Sequence, residues 1–140
     1  MKKRRLKGTN RPAAKSKHFK IAASAGRSPE QLPPIFSLRH THRGYSVEQL
    51  DKSEKAAFAD TLHTLSQLTW NQLHSCHRHK NGYEKIENVK APIPKGITED
   101  VTFIAFRFDG KKPMVGFRDG DIFHIVWFDK DYCVYDHGGS

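Results

Sequence analysis

The sequence predicts an α+β domain: one or two helices packed on one face of a three- to four-stranded antiparallel meander, preceded by a disordered basic arm. Three observations predict it. Asp109-Gly110 and Asp119-Gly120 each separate short runs of alternating apolar residues, the strongest short-range hairpin signal. Ahead of them, Phe58, Leu62, Leu65, Thr69 and Leu73 recur at helical spacing. Charge is also divided unevenly. The 140 residues carry 24 Lys and Arg against 15 Asp and Glu, yet residues 1–28 hold ten basic and no acidic side chains, leaving 14 basic against 15 acidic beyond them.

The first element is therefore an arm, residues 1–34, with few large apolar side chains and a Pro33-Pro34 break at its end. Such a segment cannot bury enough surface to offset its ordering entropy, so disorder is expected there. Residues 35–140 are expected to form a single α+β domain. The arm reads in two ways: a solubilising tail, or an electrostatic contact with RNA or DNA phosphates through Lys2, Lys3, Arg4, Arg5 and Lys7. It lacks the apolar run of a signal peptide, although Lys- and Arg-rich starts also occur in organelle transit peptides. No stretch approaches the roughly 20 apolar residues of a membrane span. Cys76 and Cys133 are too few and too far apart for a disulfide framework, and a reduced, cytoplasmic setting is expected.

Within the domain, IFSLRH (35–40) alternates and reads as a short first strand. Asp51 with Glu54 three residues later matches a capping box, and the apolar stripe follows it. Ser66 and Thr69 suggest a break into two helices with Ser66 capping the second, although no proline excludes one long helix. Trp70 widens the stripe and reads as packing. Asn81-Gly82 ends the helical region, YEKIENV suggests a strand, and APIPKGIT is a proline-punctuated loop. VTFIAFRF, KPMVGFR and DIFHIVWF then form the meander, and DYCVYDH is a candidate fourth strand.

Candidate chemistry begins with HSCHRHKNGYEKI, residues 74–86. His74, Cys76, His77 and His79 invite a metal site, but only side chains three or four apart share a helix face, and no second Cys or His pair stands at finger-like spacing. Cations at a helix C-terminus, favoured by the macrodipole, account for the cluster without a metal. Cys76 beside histidines does not establish a nucleophile, since the partner must be near in space. Acid–base work on an RNA phosphate remains. It needs a base for the 2′-hydroxyl, a cation for the developing phosphorane charge and an acid for the leaving oxygen, with no obligatory metal. Arg107, Arg118 and His124 are polar residues set singly into apolar strands. Strand pairing could gather them on one concave face, or they could be the solvent face of a half-covered sheet.

The order of elements, with a basic loop running into GYEKI and strands reading FRF and VGFR, resembles the RelE-like bacterial toxin ribonucleases. The resemblance implies a small α+β domain that enters the ribosomal A site and cleaves messenger RNA, with an antitoxin protein as partner and no cofactor. It implies Glu84 or Lys85 as base or phosphate contact after the basic loop. The histidines of that segment, His79 among them, together with Arg78 and Lys80, read as a phosphate-facing rim rather than as metal ligands. Arg107 and Arg118 would be the strand arginines, and His124 or His137 the late general acid, with Tyr135 another candidate there. The expected function is thus a metal-independent, toxin-type endoribonuclease. The alternative is a non-enzymatic module of phage or plasmid type that binds nucleic acid through its arm and a protein through its domain.

Overall fold

The computed structural model describes residues 26–76, 81–98 and 100–137. Helix α1 (Lys52–Leu65) starts at Asp51, whose carboxylate accepts the Glu54 amide at 2.8 Å while Glu54 accepts the Asp51 amide at 2.8 Å. This reciprocal pair uses two donors that a helix start otherwise leaves open, and a cap of this kind is worth about 1 kcal/mol. Helix α2 (Trp70–Ser75) begins from Thr69, with Gln72 completing a second capping box. The expected break is present, but its cap is Thr69 rather than Ser66. The reciprocal pair needs a Gln or Glu three residues on, which Thr69 has and Ser66 lacks; the Ser66 hydroxyl instead bonds back to the Leu62 carbonyl at 2.6 Å.

Five strands form one sheet: β1 (Ile35–Ser37), β2 (Tyr83–Ile86), β3 (Phe103–Asp109), β4 (Lys112–Asp119) and β5 (Ile122–Phe128). Their order is β1-β5-β4-β3-β2, with β1 parallel to β5 and the other pairs antiparallel. The architecture is α+β as expected, but among the described residues the sheet is five-stranded and mixed rather than a three- to four-stranded antiparallel meander. IFSLRH and YEKIENV both contribute strands, whereas DYCVYDH forms none; Tyr135 instead bridges Val89. At both hairpins the aspartate closes the strand and glycine opens a two-residue loop, since Asp109 pairs with Lys112 and Asp119 with Ile122. Gly110 (φ 60°) and Gly120 (φ 65°) alone carry positive φ there, the type II′ pattern that matches strand twist.

Both faces of the sheet are covered. Phe58, Leu65 and Trp70 from the helices meet Phe106, Phe108 and Phe123 on one face. On the other, Phe103, Ala105 and Trp127 lie under Ala91, Val134 and Tyr135 from the irregular segments. A β-bulge adjusts the register: Val115 pairs with Trp127 and Gly116 with Ile125, so Val126 is extra. Strict alternation would put Trp127 beside Phe123. The bulge instead places Trp127 with Val126 and sends Phe128 to the helix face.

Residues 29–34, assigned by composition to a disordered arm, are ordered against this core. Pro29–Gln31 form a 3₁₀ turn, the Trp70 amide donates to the Leu32 carbonyl at 3.0 Å, and Pro34 is buried. No helix among the described residues is long and apolar enough to cross a membrane.

Glu54, 5 % exposed, accepts from Lys112 Nζ at 2.8 Å and so ties the start of α1 to the β3–β4 hairpin. The Lys112 hydrogen bond, then the Asp51 amide, hold the Glu54 carboxyl below its ordinary range. A depressed carboxyl contributes stability that is complete above its unfolded pKa, about 4.3, and is lost as pH falls through the folded value. The expected result is that Lys112→Met is less stable than the wild type at pH 7, and that the gap narrows below about pH 4. Urea midpoints at pH 7 and pH 3 check this; a gap of equal size at both would refute the linkage.

Candidate functional site

The site is built where the chain leaves β5. The Asp129 amide donates to the Pro113 carbonyl at 2.9 Å, and its side chain is 0 % exposed. That carboxylate accepts the Cys133 amide at 2.7 Å and the Val134 amide at 3.1 Å, so the turn folds around a buried anion whose oxygens are satisfied. Val134 is fully buried, and its carbonyl accepts the Lys90 amide at 2.6 Å, while Lys90 Nζ pairs with Asp136 at 2.5 Å. The segment is thereby strapped across the sheet, which carries Tyr135 and His137 to the edge where β2 lies.

His137 Nε2 sits 3.1 Å from Asp129 Oδ2. A carboxylate oxygen accepts, so Nε2 is assigned as the donor and Nδ1 is left as the nitrogen able to exchange a proton with a bound molecule. The rings of Tyr135 and His137 are 4.0 Å apart, and the Tyr135 hydroxyl donates to Glu84 Oε2 at 3.1 Å. Glu84 pairs with Ala105 across β2 and β3, and Arg107 follows two residues along β3 on the same face. β2 begins at Tyr83, opposite Phe106, so Arg107 lies one residue beyond the stretch of β3 that β2 pairs with. Arg107 therefore lines both the main cleft and a ≈ 150 Å³ pocket shared with Asp60 and Asn81.

The main cleft, ≈ 580 Å³, gathers Glu84, Arg107, Tyr132, Tyr135, Asp136 and His137, with exposed Lys85 and Lys111 also along it. It thus holds a carboxylate, a guanidinium and a carboxylate-oriented imidazole on one surface. Behind it, burial first, then the Cys133 thiol and Asp129, push the Tyr45 phenol above its ordinary value.

Of the five residues expected to be catalytic, the structure brings together Glu84, Arg107 and His137. Arg118 lies on the opposite, helix-covered face. Its guanidinium sits 4.2 Å over the Trp70 ring, donates to the Gly120 carbonyl at 2.7 Å and pairs with Glu30 at 3.3 Å. His124 shares the cleft face but sits at the far end of β5, opposite Phe117, where its ring stacks at 4.9 Å; His40 packs against it at 4.9 Å. Its Nδ1 is buried without a partner among the described residues. Burial, then His40, lower the His124 pKa. Folding thus favours the neutral ring, and acidification through about pH 6.5 weakens the fold at this position.

Lys2, Lys3, Arg4, Arg5, Lys7, His77, Arg78, His79 and Lys80 lie outside the described residues. His74, which is described, contacts the Tyr83 hydroxyl at 3.2 Å. Among the described residues no three His, Cys, Asp or Glu side chains converge as metal ligands. Sequence reasoning missed Asp129 and Tyr132, along with Lys111 and Asp136 on the cleft wall. Asp129 carried a signal, an acid closing an apolar strand with a histidine eight positions on. Tyr132 carried none, since its backbone conformation is invisible in the sequence. No protein-family model, curated protein or solved structure matches the chain.

Proposed function

We propose that the chain is a metal-independent endoribonuclease of the toxin type, acting in the cytoplasm. The observation that carries this reading is the convergence of Glu84, Arg107 and the Asp129-held His137 on one open cleft. Glu84 takes the proton from a ribose 2′-hydroxyl, and the resulting oxygen attacks the adjacent phosphorus. Arg107 stabilises the charge that develops on the phosphorane oxygens, and protonated His137 donates to the departing 5′-oxygen from Nδ1. The products are a 2′,3′-cyclic phosphate and a 5′-hydroxyl, so the atoms and protons balance without a metal or external reductant. Lys85 and Lys111 supply backbone phosphate contacts along the cleft. The order of a short strand, two helices and a returning meander is also the one that resembles the RelE-like toxins, and it favours an antitoxin that covers the cleft.

The test uses the full chain and a labelled single-stranded oligoribonucleotide, free and on ribosomes, with EDTA present. The expected result is cleavage to 2′,3′-cyclic phosphate ends, with the 2′-deoxy analogue left intact. Cleavage of the deoxy analogue would refute the proposed chemistry. Binding without cleavage in either setting would leave the non-enzymatic module as the better reading.

A further inference from the structure

The turn from Asp129 to Tyr132 ends in an unusual residue. Tyr132 has φ 58°, the only positive φ outside glycine among the described residues. This is the left-handed region, where a Cβ crowds the neighbouring carbonyl and where Gly or Asn sits with far less strain. The ring does not repay that strain by packing into the core: Tyr132 is 44 % exposed, among the few large exposed aromatics or aliphatics of the described residues. It stands at the cleft, edge-on to His137 with ring centroids 5.3 Å apart at 88°. A strained backbone that presents an exposed flat ring beside a candidate acid points to a role in binding.

We infer that Tyr132 is a stacking platform for one unpaired nucleobase next to the scissile phosphate, so that the cleft takes single-stranded RNA with a base splayed out of its stack. This inference rests on the ribonuclease reading and specifies its substrate. Aromatic side chains bind unpaired bases through their π-faces, and such stacking is tolerant of base identity. The ring's 5.3 Å distance from His137 places a stacked base within one nucleotide of the atom that would protonate the leaving oxygen. Arg107 and Lys111 line the same cleft and meet the flanking phosphates. A base-paired duplex, whose bases are already stacked on one another, offers nothing to this ring.

The test measures binding of the full chain to a short 2′-O-methyl oligoribonucleotide, which cannot be cleaved, with a single abasic position moved along it. For the wild type, one abasic position weakens binding about tenfold or more. Tyr132→Phe keeps both affinity and that sensitivity. Tyr132→Asn loses about tenfold or more in affinity, becomes indifferent to the abasic position, and melts at or above the wild-type temperature because the left-handed strain is relieved. Wild-type affinity in Tyr132→Asn overturns the platform while leaving the nuclease reading standing. A melting temperature several degrees lower in that variant makes the ring a packing residue and also overturns it. Failure of the wild type to bind any oligonucleotide overturns both.

Discussion

Glu84→Gln and His137→Gln are each expected to lower the rate of RNA cleavage by about 10²- to 10⁴-fold, the range that positioned acid–base groups supply. Both replacements are close in shape and sit at an open cleft, so neither removes core volume. In Glu84→Gln the side-chain amide keeps an oxygen to accept from the Tyr135 hydroxyl, and in His137→Gln it keeps an N–H group that can reach Asp129. The loss therefore falls on proton transfer, and appears in kcat more than in KM. Arg107→Met is expected to cost about 10²- to 10³-fold, the penalty of removing one stabiliser of transition-state charge. If the three act on one transition state, the double variant Glu84→Gln/His137→Gln falls well short of the product of the single losses. His124→Gln is the control. Its ring lies at the other end of β5, so its cleavage rate stays within a few-fold of the wild type once the amount of folded protein is matched. A steady-state assay of cyclic-phosphate release, with circular dichroism to match the folded fraction, decides the matter. Wild-type rates in either Glu84→Gln or His137→Gln, or a collapse in His124→Gln comparable with theirs, would sink the assignment.

Why Glu84 and Arg107 share a face, and Arg118 and His124 are misplaced beside them, comes down to register. Alternation correctly puts Phe103, Ala105 and Arg107 on one side of β3, and Pro113, Val115 and Phe117 on one side of β4. It cannot say which side of β4 faces the same way as Arg107. The pairing Arg107↔Pro113 answers that, and it sends Arg118 to the helix face, over Trp70. His124 has the right parity but the wrong height, four residues along β4 from Arg107's partner. Local chemistry is readable at the Asp51 capping box and the glycines of both hairpins, each within four residues of what it determines; the Thr69–Gln72 box is equally local, yet the Ser66 reading misses it. What is not readable depends on distant partners. β1 is three residues long, and its parallel pairing of Ile35 with Ile122 joins positions far apart in the chain. DYCVYDH reads as a strand because it alternates. Its backbone is taken up instead by the buried Asp129 carboxylate and by Lys90, which bends the segment across the sheet and delivers His137.

Gly116→Ala is expected to be the most destabilising glycine-to-alanine change among the described residues. A Cβ at this position would lie 1.9 Å from the His124 carbonyl oxygen and 2.9 Å from its carbon, far inside van der Waals contact. Both atoms are backbone, so no rotamer change relieves the clash; β4 and β5 must separate or β5 must shift. This is also the site of the bulge, where Gly116 pairs with Ile125 and the extra residue Val126 re-phases the strand. Losing that arrangement returns β5 to strict alternation, which would turn Trp127, 0 % exposed, out of one core and Phe128, 2 % exposed, out of the other. The cost is therefore at least about 3 kcal/mol, the upper end for overpacking a core. The consequence reaches the cleft by a covalent route, because Asp129 follows Phe128 directly and its carboxylate holds the turn that carries Tyr132 and His137. Gly116→Ala should accordingly lose cleavage activity in step with its loss of folded protein, whereas His137→Gln loses activity with its denaturation midpoint unchanged. Urea denaturation read alongside the cleavage assay separates the two variants. A Gly116→Ala protein with the wild-type midpoint would show that β4 and β5 do not approach as closely as the bulge requires.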